Sequence, residues 1–107
     1  MIIHTKGEDF FCEFTFLDET GAVTTVPDYD FTLDYYVSDD DVATASKISG
    51  VYTNCCIGAD EKFYVTFDAP AWKRGRLMRR ATLYVPQPEM PDGVRTIITI
   101  EDIGKVV

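Results

Sequence analysis

The side chains of this chain that could do chemistry are few. They are one histidine (His4), three cysteines (Cys12, Cys55 and Cys56) and a run of aspartates, Asp39-Asp40-Asp41. Nucleophilic catalysis by a Ser-His-Asp or Cys-His device needs an imidazole held in place by its surroundings. His4 sits in Met1-Ile2-Ile3-His4-Thr5-Lys6, which reads directly into a polar turn, and is expected to be an exposed terminal residue. An odd number of cysteines in a chain without a recognisable leader points to free thiols. Cys55 and Cys56 are adjacent, so on a strand they face opposite ways, and they lack the two-residue gap of a zinc knuckle. A bridge from Cys12 to one of them is sterically allowed but has no support from compartment, and burial as small apolar residues is the favoured reading. The three aspartates offer oxygen ligands for a hard cation. They lack the alternating spacing and the glycine of an EF-hand loop, and read as a solvated turn. No pair among the 18 carboxylates stands out for acid–base work, and no phosphate-cradling loop is present. The expectation is a protein with no catalytic residues, no metal and no cofactor.

One charge feature does stand out. Lys73, Arg74, Arg76, Arg79 and Arg80 are five of the ten basic residues of the chain. They follow directly on Trp72, the one tryptophan. Such a segment reads as a docking patch for an acidic partner surface, or as a solvated strand edge on which Lys and Arg deter unwanted pairing. Trp72 reads as an interface anchor or, as the favoured alternative, as a lid over one end of the core. The partner-binding candidates are therefore Trp72, Lys73, Arg74, Arg76, Arg79 and Arg80.

The background to that segment is acidic. With 18 acidic and 10 basic residues the net charge is −8, which argues against a nucleic-acid partner or an anionic membrane, because phosphate contacts need surplus Lys and Arg. No stretch approaches the length of apolar sequence that spans a bilayer, and no signal peptide is apparent. The chain of 107 residues is the size of one domain with one core.

The elements that must position these residues read as strands. Phe10, Cys12, Phe14 and Phe16 alternate with Glu13 and Thr15 over Phe10 to Leu17. Asp18-Glu19-Thr20-Gly21 is a turn, and Ala22 to Val26 a short arm stopped by Pro27. Phe31, Leu33, Tyr35 and Val37 form one side of Asp30 to Ser38. Residues 42–48 read as an irregular loop, with a short capped helix as the alternative. Val51 to Ile57 and Phe63 to Asp68 alternate again. Ala69 to Gly75 looks like a single helical turn. Leu77 to Val85 is a long strand, followed by a stiff loop with Pro86, Pro88 and Pro91. Asp92-Gly93 turns the chain into Val94 to Glu101, and Gly104 precedes a short tail. Tyr36, Tyr52, Tyr64 and Tyr84 are candidates for an outward aromatic row. The spacing predicts an all-β, single-domain (1–107), antiparallel, immunoglobulin-like β-sandwich of about seven strands.

The stretch KGEDFFCEFTFLDETGAVTTVPDYDFTLDYYV resembles the N-terminal β-sandwich domain of phage baseplate upper proteins and related prophage structural proteins. Its parts here are Lys6-Gly7-Glu8-Asp9, Phe10 to Leu17, Asp18 to Gly21 and Phe31 to Val37. WKRGRLMRRATLYVPQPEMPDGVRTIITIEDIG is similar to the closing hairpin of such proteins. The resemblance implies a non-enzymatic structural protein, a baseplate or tail module that contacts other virion proteins or copies of itself as a homo-oligomer. It would be made in the host cytoplasm and then carried in the virion. The rival expectation is a small β-sandwich binding module for carbohydrate or protein. The amide supply for sugar binding is thin, with Asn54 and Gln87 alone.

Overall fold

The alternating segments become strands because only one face of each can be buried. In Asp30–Tyr36, Phe31, Leu33 and Tyr35 are fully buried while Thr32, Asp34 and Tyr36 are half-buried. Phe63–Phe67 repeats the pattern with Phe63, Val65 and Phe67 inside. A computed structural model describes all of residues 1–107. It has eleven strands and no helix: β1 (Ile2–His4), β2 (Phe10–Phe14), β3 (Phe16–Leu17), β4 (Val23–Thr24), β5 (Asp30–Tyr36), β6 (Ala43–Ile48), β7 (Val51–Thr53), β8 (Cys55–Ile57), β9 (Phe63–Phe67), β10 (Gly75–Pro86) and β11 (Val94–Val106).

A six-stranded sheet in the order β1-β11-β10-β5-β6-β7 faces a three-stranded sheet β2-β9-β8, with the β3–β4 hairpin beside them. Aromatic rings join the two layers: Phe10 to Tyr35 at 5.5 Å, Phe31 to Phe63 at 5.7 Å and Tyr35 to Phe67 at 5.5 Å between centroids. The mostly edge-on contacts are the geometry that ring quadrupoles favour. They belong to one cluster of 13 buried residues that also takes in Phe16, Ala45, Leu77, Trp72 and Val106.

The architecture corrects several expectations. There are eleven strands rather than about seven, because Ile2–His4 and Ala43–Ile48 are also strands, Val51 to Ile57 divides at Asn54, and the Phe10 to Leu17 segment divides at Thr15. The first part of that last segment pairs with β9 and its second only with β4. The fold is not wholly antiparallel, since β1 runs parallel to the end of β11, with Ile2 opposite Gly104 and His4 opposite Val106. The expected tail after Gly104 is therefore ladder. Residues 43–48 are a strand, not a loop. Ala45 lies opposite Leu33 and Lys47 opposite Phe31 on the inner face, and small alanines and a lysine there disguise the alternation. Ser49 and Gly50, with φ of 51° and 78°, make the two-residue turn into β7. Positive φ at both turn positions matches the twist of the flanking strands. Ala69 to Arg74 forms no helical turn. The Ala69 N–H donates instead to Asp9 Oδ1 at 2.9 Å, and the segment drops Trp72 into the core.

His4 is buried, not exposed. Its ring stands edge-on to Phe10 and Trp72 at 5.5 and 5.4 Å, and its Nε2 has no hydrogen-bond partner. A buried polar atom without a partner costs stability that an apolar ring of the same shape does not. His4→Phe is therefore expected to stabilise the protein by about 1 kcal/mol in urea denaturation. A loss of stability would show that Nε2 finds a partner in solution or that the larger ring does not fit beside Phe10 and Trp72.

Candidate interaction site

β10 and β11 form the longest hairpin of the fold and carry most of the residues singled out by charge. Side chains alternate along β10, so the basic segment cannot stay together. Arg79, Ala81 and Leu83 share the inner face with Tyr35, Leu33 and Phe31, which lie opposite them on β5. Arg80 lies on the outer face opposite Asp34, where Arg76 also points.

Each of these arginines has its own carboxylate. Arg76 Nε lies 3.1 Å from Asp102 Oδ2, and Arg79 Nη2 lies 2.7 Å from Glu101 Oε2. Arg80 donates from Nε and Nη2 to Asp34 Oδ2 at 3.1 and 3.0 Å, and this partner holds its guanidinium pKa above the usual value. Asp34 also accepts from Thr44 Oγ1 at 2.7 Å, so one carboxylate ties β10 and β6 to β5. Lys73 and Arg74 are exposed and make no ion pair. The five cations thus present two free charges on the connection before β10, not a single five-charge patch. Trp72 is 1 % exposed, and its Nε1 donates to the Tyr35 carbonyl at 3.0 Å. It is a core lid and is not available as a surface anchor, which corrects its place among the partner-binding candidates.

The inner face of the hairpin runs out beyond the smaller sheet and becomes the floor of a groove. A deep part of about 190 Å³ lies between Phe14, Phe16 and Leu17 on one side and Arg79, Ala81, Leu83, Thr99 and Glu101 on the other. A shallower part of about 520 Å³ continues past Tyr29, Pro27 and Val26 towards Val85, Ile97 and Arg95. Arg79 closes the deep end. Its guanidinium lies 4.7 Å from the Phe14 ring centroid, a cation–π contact that holds the charge over the core. Sequence reading singled out Arg79, Phe14 and Phe16 separately but did not find this groove, because their meeting depends on how the β3–β4 hairpin sits over β10 and β11.

Two of the thiols are held in their neutral form. Burial pushes the Cys12 and Cys55 pKa values up, against smaller opposing effects from Tyr35 and Arg79 on Cys12 and from backbone hydrogen bonds on Cys55. Cys55 is buried and Cys56 exposed, on opposite faces as adjacent strand residues must be. All three are free. Cys12 and Cys55 flank Val65 from either side in the smaller sheet. Two strand spacings are about 9.5 Å, beyond disulfide reach. No group of three or more His, Cys, Asp or Glu side chains converges to hold a metal ion. Asp39, Asp40 and Asp41 belong to the β5–β6 connection.

The four tyrosines do not form one row. Tyr36 and Tyr84 share the outer face of the large sheet. Tyr52 aligns with the inward Lys47 and lies 6.4 Å from Phe63. Tyr64 stacks on Phe11 at 4.9 Å on the outside of the smaller sheet. What the outer face of the large sheet does expose is aliphatic: Ile98 and Ile100 of β11 are 58 % and 57 % exposed. Comparison with protein-family models, curated proteins and solved structures finds no match to the chain.

Proposed function

We propose that this protein is a non-enzymatic structural module of a phage or prophage particle, acting through protein–protein contacts as part of a baseplate or tail. The observation that carries the contact reading is the exposed pair Ile98 and Ile100 on the outer face of the large sheet, with the half-buried Tyr84 and Met78 of β10 diagonal to them. Exposed apolar rows of this kind belong to surfaces that another protein covers. The particle reading rests on the resemblance of Lys6 to Val37 and of Trp72 to Gly104 to baseplate and prophage proteins. The finer fold reading, an immunoglobulin-like sandwich, is supported by two facing sheets with a shared aromatic core. The reading is further supported by the strand order, since β11-β10-β5-β6-β7 and β2-β9-β8 follow the G-F-C-C′-C″ and B-E-D orders of the variable type, with β1 added in parallel on β11.

The alternative, a small binding module, is favoured by the groove beneath the β3–β4 hairpin, with Tyr29 on its wall and Arg79 and Arg95 towards its two ends. Mass spectrometry of purified particles from the host that carries this gene separates the two. The structural reading expects the protein in particles at a fixed stoichiometry to known tail components. Its absence from particles, with glycan or peptide binding by the purified chain, would replace that reading with the alternative.

A further inference from the structure

β11 has an unpaired edge. Only Gly104 to Val106 are covered on that side, by β1, so Val94 to Asp102 present nine residues of open backbone. The other edges are shorter: β7 and β8 have three residues each and β2 has five. The open segment reads Val-Arg-Thr-Ile-Ile-Thr-Ile-Glu-Asp. It contains no proline or lysine, and its one irregularity, at Ile103, lies beyond it. A long, β-branched edge without these features is a template for strand addition, for a partner that matches its inward charges Arg95 and Glu101.

The sequence of that edge is complementary to itself. A two-fold axis perpendicular to the sheet keeps outer faces with outer faces, so residues of like parity oppose each other. With the axis at Ile98 the whole open segment pairs, Val94 with Asp102 of the second copy. Arg95 then faces Glu101, twice by symmetry, and Ile97 faces Thr99. On the outer face Ile98 meets Ile98, and Thr96 meets Ile100. Moving the axis by one residue in either direction shortens the ladder and sets Arg95 against Thr99 or Ile103. Glu101 is ready for a second cation, since Arg79 occupies Oε2 alone, and Arg95 is exposed and has no ion pair. Opposite charges directly across strands stabilise a pairing, and like charges oppose it. They also offset locally the repulsion between two chains of net charge −8.

We infer that two copies of this chain join edge to edge through β11 in the register centred on Ile98, merging two six-stranded sheets into one. The inference rests on the proposed contact function and names its partner as a second copy. Closed two-fold pairing uses up the open edge in both copies, which an open-ended contact does not. The two grooves then meet at the axis, because Arg95, Ile97, Thr99 and Glu101 line both the grooves and the new ladder.

The test is made on the full chain by sedimentation and light scattering from micromolar to near-millimolar concentration. The expected species has twice the 12.1 kDa chain mass. Arg95→Glu sets like charges opposite each other at both ends of the ladder and should weaken dimerisation roughly tenfold. In a Cys56→Ser background, Ile98→Cys should oxidise to a covalent dimer, because directly opposed residues lie within disulfide reach. Thr96→Cys should not, since its two copies would stand about 14 Å apart. A chain that stays monomeric, an unchanged Arg95→Glu dimer, or equal cross-linking of both cysteine variants overturns the inference. Presence in particles is a separate readout, so a monomer found in particles would remove the dimer and leave the structural reading standing.

Discussion

Gly104→Ala should expel the N-terminal strand. A methyl group at this position would lie 1.8 Å from the Ile2 carbonyl oxygen and 2.7 and 2.8 Å from the Ile2 carbonyl carbon and nitrogen. All three are backbone atoms and cannot rotate away. The parallel ladder from Ile2 to His4 would open, along with the Lys6 N–H to Val107 carbonyl bond at 3.0 Å and the Val107 N–H to His4 carbonyl bond at 2.8 Å. His4 would leave the side of Trp72 and Phe10. The expected loss is about 3 kcal/mol, at the upper end of what overpacking costs, because the displaced element is backbone. Hydrogen exchange gives the sharper readout: amides of residues 2–6 should lose protection while those of β5 and β10 keep theirs. Gly7→Ala is the control, since a methyl there meets nothing within 4 Å and only the positive φ of 92° resists it. Unchanged protection of residues 2–6 in Gly104→Ala would mean that β1 does not approach β11 this closely in solution.

Trp72→Ala should cost about 3–5 kcal/mol, the range for removing a fully buried large aromatic. The indole packs edge-on against His4, Phe10 and Phe67 at 5.4, 5.1 and 5.9 Å. Its removal also takes away the hydrogen bond to the buried Tyr35 carbonyl. Against a total stability of about 5–15 kcal/mol for an ordinary domain, this is a large share of what holds the fold together. Trp72→Phe should recover most of the packing and lose the hydrogen bond, a cost of about 1 kcal/mol. Far-ultraviolet circular dichroism in urea measures both. If Trp72→Ala unfolded at the wild-type urea midpoint while weakening a partner contact, Trp72 would be a surface anchor after all.

Much of the strand pattern is legible in the sequence because alternation is a local property. Phe31, Leu33 and Tyr35, and Phe63, Val65 and Phe67, are inside as their spacing requires. Cys55 and Cys56 part to opposite faces for the same reason. Segments whose inward residues are small or polar hide. Ala43, Ala45 and Lys47 face the core of β6, and Lys47 is accommodated because its Nζ donates to the Pro27 carbonyl at 2.6 Å. No residue of the β6 segment itself indicates that Pro27 will be near. The β1 segment is three residues long and becomes a strand only because the far end of the chain offers it an edge.

The candidate site divides along the same line. Composition alone establishes an acidic chain with half its cations in one segment, and the side-chain period of 2 already implies that such a segment on a strand must split between two faces. Which carboxylate meets which arginine depends on partners 22 to 46 residues away, Glu101 for Arg79 and Asp34 for Arg80. Pairings at that distance follow from strand order and register. The sequence also contains the alternating charges and isoleucines of Val94 to Asp102, but it does not say that one side of that strand is left open. The edge exists because β10 takes one side of β11 and β1 reaches only its last turn of ladder. Local sequence thus determines which way each side chain points. The tertiary structure decides what lies opposite it, because the pairing that supplies each neighbour is made by residues far away in the chain.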